Sequence, residues 1–91
     1  MDLMLKDMNA AVVGGTRGIG RAIAELLISE GCNVSICARG QDGVDSAVAA
    51  LSSGGATVRG SALDASDGQA QAAWINDTAE AFGGLDILIA N

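Results

Sequence analysis

The sequence predicts an α/β fold in which helices cover both faces of a parallel β-sheet. Four short apolar runs, of the kind that fill strands buried on both faces, alternate with three segments whose apolar residues recur at helical spacing. Glycines follow each helical segment, at Gly31, Gly54-Gly55 and Gly83-Gly84, where a helix is expected to end. Such alternation favours parallel strands joined by crossover helices, which gives three layers in the order α/β/α.

The first strand is predicted over residues 10–13 and the second over residues 34–37. Between them, a helix begins at Ile19 and ends before Gly31. Its apolar residues fall at spacings that place them on one face, which is predicted to be buried. The residues of this face are Ala22, Ile23, Leu26 and Leu27.

Asp42 is predicted to cap the second helix, since an aspartate at this position can accept hydrogen bonds from the first backbone N–H groups. The buried face of that helix is predicted to contain Val44, Ala47, Val48 and Leu51. A third strand follows over residues 56–63, with Gly60 as a weak point inside it.

Ser66 or Asp67 is predicted to cap the third helix, and Gly83-Gly84 to end it. The predicted buried face of this helix consists of Ala70, Ala73, Trp74, Ala81 and Phe82. A fourth strand is predicted over residues 85–90.

Crossover handedness then predicts the arrangement of these elements. Right-handed crossovers in a doubly wound sheet of strand order 3-2-1-4 put the first two helices on one face and the third on the other. A ligand is expected where the strand order reverses, beyond residues 13–14 on one side and 90–91 on the other.

Composition and charge limit the classes of function. The 91 residues suffice for one small domain, residues 1–91, and the formal net charge of −6 argues against a nucleic-acid or anionic-membrane surface. No apolar stretch approaches the ~20 residues of a membrane span. Cys32 and Cys37 match no zinc pattern and are interpreted as buried thiols in a reducing compartment, so a cytoplasmic protein without a metal site is expected.

The strongest local signal is the glycine-rich segment GGTRGIG at residues 14–20, between the first strand and the first helix. Gly14 allows a sharp exit from the strand, Gly18 lets a phosphate approach the backbone, and Gly20 lets the helix pack on the sheet. The helix N-terminus supplies free N–H donors and partial positive charge. An ordinary turn is the alternative interpretation. The predicted cofactor-binding residues of this segment are Gly14, Thr16, Arg17, Gly18, Ile19 and Gly20.

The spacing G-x-x-x-G-x-G is similar to the cofactor motif of the short-chain dehydrogenases/reductases. Leu63-Asp64 resembles the segment of that family that contacts adenine, and residues 86–91, DILIAN, resemble its fourth strand running into an N-N-A-G motif. The resemblance extends from Leu5 to Asn91. It implies a Rossmann-like fold, a nicotinamide dinucleotide cofactor, Asp64 at the adenine ring and Asn91 in the cofactor site.

The sequence departs from the family pattern at two positions. Val13 stands where the family usually has a threonine, so a hydrogen bond that steadies the glycine loop is expected to be missing. Ala90 replaces the first asparagine of N-N-A-G, a variation that the family tolerates.

The catalytic apparatus that the resemblance implies is not found in these residues. In the family, the catalytic asparagine, serine and Tyr-x-x-x-Lys all follow the fourth strand. This sequence contains no tyrosine and no histidine, and Lys6 is its only lysine. We therefore assign no catalytic residue and expect a domain truncated after strand four that catalyses no hydride transfer by itself.

Cofactor preference is predicted from charge at the end of the second strand. NAD-dependent members of the family often carry an aspartate there, which binds the ribose hydroxyls, whereas this chain has Ala38 followed by Arg39. Arg39 and Arg17 could clamp the 2′-phosphate of NADP(H), so NADP is favoured over NAD. The alternatives are that both arginines are solvated surface residues and that Asp64 caps a turn.

Three functions are compatible with these observations. The first is the NADP(H)-binding portion of an oxidoreductase that moves a hydride between cofactor and an alcohol or carbonyl substrate. The second is a naturally truncated, non-catalytic module that binds a nucleotide or self-associates. The third, a methyltransferase, is disfavoured by Ala38-Arg39. An open edge at the fourth strand and uncovered apolar surface beside Trp74 and Phe82 predict a homo-oligomer or association with the missing C-terminal half.

Overall fold

The computed structural model describes residues 5–90 and confirms the predicted order of elements. The elements are β1 (Asn9–Val13), α1 (Gly18–Ser29), β2 (Asn33–Ala38), α2 (Gln41–Leu51), β3 (Val58–Ala62), α3 (Gly68–Phe82) and β4 (Ile87–Ala90). All strand pairs are parallel, and the sheet order is β3-β2-β1-β4, as predicted. The third and fourth strands are shorter than the sequence predicted, because residues 56–57, 63 and 85–86 lie outside the ladder.

The central strand β1 is buried on both faces, which explains its uninterrupted apolar sequence. Ala10 and Val12 point into a core shared with α1 and α2, whereas Ala11 and Val13 point to the opposite face and pack near Trp74 of α3. The first two helices therefore cover one face and the third covers the other, as crossover handedness predicted.

The buried face of α1 differs from the predicted one. Ala22 is exposed and Leu26 is 53% exposed, so the prediction for these two residues is wrong. The face against the sheet is formed by Gly20, Ala24 and Leu27. Apolar residues lie on nearly every side of α1, so spacing alone does not select one face. Small residues at positions 20 and 24 allow the closest approach of helix and sheet.

Helix α2 begins at Gln41 with Gly40 as its N-cap residue, so the prediction that Asp42 caps it is wrong. Asp42 lies instead in the first turn, where its negative charge interacts favourably with the helix dipole. The predicted apolar face is confirmed. Helix α2 packs closely on β3 at Gly60, because a Cβ there would lie 2.6 Å from both Val44 Cγ1 and Val48 Cγ2.

Asp67 caps α3, and Gly83 ends it in a left-handed conformation with φ of 81°. Asp67 Oδ1 accepts hydrogen bonds from the backbone N–H groups of Gln69, at 3.1 Å, and Ala70, at 3.2 Å. These contacts show that Asp67 rather than Ser66 is the cap, and the left-handed Gly83 confirms the predicted end of the helix.

The inner face of α3 is centred on Trp74 and Thr78, both buried. Ala73 and Ala81 were predicted to belong to this face, but both are exposed. Thr78 was not predicted to be buried because its side chain is polar. Its Oγ1 donates a hydrogen bond of 2.9 Å to Ser35 Oγ of β2, and this bond offsets the cost of burying both hydroxyls.

Within residues 5–90, β4 forms one edge of the sheet. Leu88 of β4 is 48% exposed on the face that α3 covers, whereas Trp74 is buried and Phe82 half-buried. Leu88 is thus a large apolar side chain left exposed on this face, and the association predicted from the sheet edge and the uncovered surface stays a prediction. In this part of the chain, no helix has the length and apolar character needed to cross a membrane.

Candidate functional site

The carboxyl ends of β1, β2 and β3 border a cavity of about 850 Å³. We call it the strand-end cavity. Its walls are the loop after β1, the junction of β2 with α2, and the segment after β3. Its volume is in the range of small-molecule sites, roughly 300–1,000 Å³. The cavity extends from β1 towards β3 and includes Val13 and Gly14, but its lining contains no β4 residue. Asn91, which was predicted to bind cofactor, lies outside the described residues.

The glycine loop has a backbone conformation that requires glycine at its start. Gly14 has φ of 77°, a left-handed value that residues with a β-carbon adopt only at a cost, and its N–H donates to Cys37 O at 2.8 Å. This geometry agrees with the predicted sharp exit from β1. Gly15 has a packing role that was not predicted: it lets the loop lie close to β2, because a Cβ there would be 2.5 Å from Ile36 Cγ2.

The second half of the loop forms the start of α1. Gly18 has φ of 64°, and the space that its Cβ would occupy is open: apart from its chain neighbours and the nearby backbone of α1, no atom of the described residues lies within 4 Å. Gly20 is buried against the sheet, and Ile19 is 71% exposed. Thr16 and Arg17 line the strand-end cavity, whereas residues 18–20 do not. The open side of Gly18 leaves the backbone accessible to a ligand.

Arg21 steadies the glycine loop where Val13 offers no hydroxyl group. Its Nη1 donates to Thr16 O at 3.3 Å, and its Nε lies 3.0 Å from Glu25 Oε1. Arg21 also lines the strand-end cavity, so it adds a third arginine to the two that were predicted. The sequence did carry a signal for it, since the spacing to Glu25 is that of a helical ion pair.

Arg39 and Asp64 form an ion pair at the edge of the cavity. Arg39 Nη2 lies 3.1 Å from Asp64 Oδ1, and the Arg39 side chain is 80% exposed. The same Oδ1 accepts hydrogen bonds from Ser66 N at 3.0 Å and Ser66 Oγ at 2.7 Å. The bonds from Ser66, followed by the one from Arg39, lower the pKa of Asp64 to about 2. Asp64 therefore shapes a turn, as one interpretation held, while its contact with adenine stays a prediction.

The three helix N-termini at this edge of the sheet differ in their caps. Asp67 caps α3 with two hydrogen bonds. In α1 and α2 the N-cap residues are Arg17 and Gly40, and neither supplies a capping hydrogen bond from a side chain. The first N–H groups of α1 and α2 are thus not bonded by their N-cap residues.

The two cysteines are free and buried, as predicted. Cys37 lies beneath the Gly14 turn, where its burial raises the pKa of the thiol, and burial likewise raises the pKa of Cys32. Both thiols are therefore protonated near neutral pH and are poor nucleophiles. Among the described residues, no three histidine, cysteine or acidic side chains form a group that could hold a metal ion.

A second cavity, of about 590 Å³, lies between the C-terminal parts of α1 and α2. Its lining includes Glu25, Ala50 and Thr57 but no residue of the glycine loop. None of the predicted site residues borders it, although Arg21 borders both cavities, so it is an internal comparison for the strand-end cavity.

Comparison with known proteins relates the chain to dehydrogenases. The family model for short chain dehydrogenase matches residues 8–91. The uncharacterized oxidoreductase YvrD of Bacillus subtilis is 41% identical over 91 residues, which are 100% of this chain and 34% of that protein. A tropinone reductase homolog of Arabidopsis thaliana is 40% identical over 88 residues, 96% of this chain and 33% of the homolog. The chain thus spans about a third of the length of these relatives.

Solved structures agree with this relationship. The crystal structure of L-sorbose reductase from Gluconobacter frateurii, complexed with NADPH and L-sorbose, matches with a TM-score of 0.93 at 33% identity, over 100% of this chain and 35% of that one. A mutant short-chain dehydrogenase/reductase of Serratia marcescens matches with a TM-score of 0.89 at 35% identity, over 96% of this chain and 36% of that one. The sheet order, the glycine loop and these matches lead to one conclusion: the chain belongs to the short-chain dehydrogenase family.

Proposed function

We propose that the strand-end cavity binds NADP(H), and that this chain is the cofactor-binding portion of an oxidoreductase. The observation that carries the proposal is the position of Arg17 and Arg39, which both line this cavity while the uncharged Ala38 ends β2. In the complete enzyme, the bound cofactor would exchange a hydride with an alcohol or carbonyl substrate.

The 2′-phosphate distinguishes NADP(H) from NAD(H) and carries a charge of roughly −1.5 to −2 near neutral pH. Guanidinium groups bind such a group with paired, charge-assisted hydrogen bonds. The ribose of NAD(H) would instead be bound by an acidic residue at the end of β2, which Ala38 does not provide. Because the chain has a net charge of −6, local arginines are needed to attract any phosphate.

The remaining phosphates would lie against the glycine loop. Gly18 exposes backbone there, and the N-termini of α1 and α2 present N–H groups that their N-cap side chains do not bond. Such N–H groups bind pyrophosphate oxygens, and the aligned peptide dipoles favour negative charge at the same place. The NADPH bound by the similar L-sorbose reductase supports the same assignment.

Calorimetric titration of this chain with NADP⁺ and NAD⁺ tests the proposal. We expect tighter binding of NADP⁺. Arg39→Ala should weaken NADP⁺ binding by about tenfold to a hundredfold, because it removes charge-assisted hydrogen bonds, and should change NAD⁺ binding little. Arg59→Ala is the matched control, since Arg59 on β3 donates to Asp77 O and does not line the cavity. Equal affinities of the unmodified chain for the two cofactors would overturn the proposal.

A further inference from the structure

Arg39 forms an ion pair with Asp64 of the same chain. Its Nη2 lies 3.1 Å from Asp64 Oδ1, and both residues line the strand-end cavity. A 2′-phosphate that binds Arg39 must therefore approach a carboxylate as well as a guanidinium group. The guanidinium group attracts the phosphate, whereas the carboxylate repels it.

Hydrogen bonds from Ser66 hold the carboxylate of Asp64 in this position. Oδ1 accepts hydrogen bonds from both the backbone N–H and the hydroxyl group of Ser66, so the turn after β3 fixes the carboxylate. The guanidinium of Arg39, by contrast, belongs to a side chain that is 80% exposed and is joined to the turn through Asp64. The aspartate therefore has two further hydrogen bonds that hold it in place, whereas the arginine is the more exposed partner of the pair.

We propose that Asp64, positioned by Ser66, is a specificity-determining residue that competes with the 2′-phosphate for Arg39 and so lowers the preference of the site for NADP(H) over NAD(H). The inference rests on the proposed function. It assigns Asp64 a role through Arg39, separate from any contact with adenine, which both cofactors would make equally.

The size of the effect follows from the exposure of the pair. Exposed ion pairs contribute little because water and salt screen them, so the aspartate reduces the action of the arginine without abolishing it. Removing the carboxylate charge also removes a repulsion at short range, and salt screens both contributions. A change of about twofold to fivefold in the affinity ratio is therefore expected at low ionic strength, and a smaller one at high ionic strength.

Asp64→Asn is the most informative variant, because the amide oxygen can still accept the hydrogen bonds from Ser66 while the charge is lost. Calorimetry at low and high salt should show the ratio of NADP⁺ to NAD⁺ affinity rising by about twofold to fivefold at low salt. Ser66→Ala removes the hydroxyl bond to Oδ1 but keeps the backbone one, so it should hold the carboxylate less firmly and raise the ratio by a smaller factor. In the Arg39→Ala background, Asp64→Asn should leave the ratio unchanged.

Asp67→Asn is the matched control. It removes one exposed carboxylate charge three residues along the chain, outside the cavity lining, and asparagine caps a helix as well as aspartate does. Its affinity ratio should equal that of the unmodified chain. If Asp64→Asn leaves the ratio unchanged or lowers it while Arg39→Ala removes the preference for NADP⁺, the competition is refuted and the proposed function stands. A chain without any preference for NADP⁺ refutes both.

Discussion

The N-termini of α1 and α2 differ from that of α3, although all three helices follow parallel strands and begin at the same edge of the sheet. Asp67 closes the start of α3 with hydrogen bonds to two backbone N–H groups. At the corresponding positions α1 has Arg17 and α2 has Gly40, neither of which caps through its side chain. The two helix starts that lack this bond adjoin the strand-end cavity through these residues.

Under the proposed function, this difference distinguishes a helix start with a structural cap from two helix starts that are expected to bind the ligand. A carboxylate cap stabilises a helix, but it uses the N–H donors and adds negative charge where a phosphate would bind. An arginine or a glycine at the same position gives up part of that stability and keeps the site open to an anion. We therefore expect substitutions at the start of α3 to change stability alone, and those at the starts of α1 and α2 to change cofactor binding as well.

The largest effect is expected at Gly18. Gly18→Ala places a β-carbon on a residue with φ of 64°, and Gly55→Ala does the same at φ of 85°, both in open space. Each should lower the free energy of unfolding by about 1–2 kcal/mol in urea denaturation, because of the left-handed conformation. Only Gly18→Ala should also weaken NADP⁺ binding. An equal loss of binding in the Gly55 variant would contradict the role of the α1 start.

A smaller effect is expected from removing the α3 cap. Asp67→Ala leaves the N–H groups of Gln69 and Ala70 without their acceptor, and it should lower the free energy of unfolding by about 1 kcal/mol. The affinity for NADP⁺ should stay constant, as measured by calorimetry under conditions where the variant is folded. A loss of NADP⁺ affinity in the folded variant would show that α3 takes part in binding.

The smallest change in stability is expected from giving α2 the kind of cap that α3 has. Gly40 is the N-cap residue of α2, its backbone is extended, and the position of its Cβ is free of other described atoms. Gly40→Asp should raise the free energy of unfolding by a few tenths of a kcal/mol. It should at the same time weaken NADP⁺ binding, because the new carboxylate lies beside Arg39. Tighter NADP⁺ binding would contradict the comparison.

The sequence predicted those parts of the fold that depend on local pattern. The apolar run of β1, the alternation of elements and the glycine at the end of α3 are local signals, and the layer arrangement followed from them once the doubly wound order 3-2-1-4 was adopted. The inner face of α1 was predicted in part wrongly, because its apolar residues surround the helix. Leu26 became exposed while the smaller Ala24 lies against the sheet.

In the candidate site, too, the features that depend on local sequence were predicted and those that depend on tertiary contacts were not. The conformation of Gly14 is a property of the backbone next to a strand end, and the sequence indicated it. The pairing of Arg39 with Asp64 joins residues 25 positions apart, after β2 and after β3, and a single sequence contains no signal for it. The spacing of Arg21 to Glu25 did indicate an ion pair, but the bond of Arg21 to Thr16 O was not predictable, because it is made to a backbone atom of the folded loop.

An amide NMR titration of this chain with NADP⁺ tests the central claim most directly, because it locates the ligand residue by residue. We expect the largest shift changes in residues 14–20 and at Arg39 and Gly40, around the strand-end cavity. The same titration with NAD⁺ should give smaller changes at Arg39. Changes centred on the second cavity, at Ala50 and Thr57, or an equal response of Arg39 to both cofactors, would contradict the assignment of this site to NADP(H).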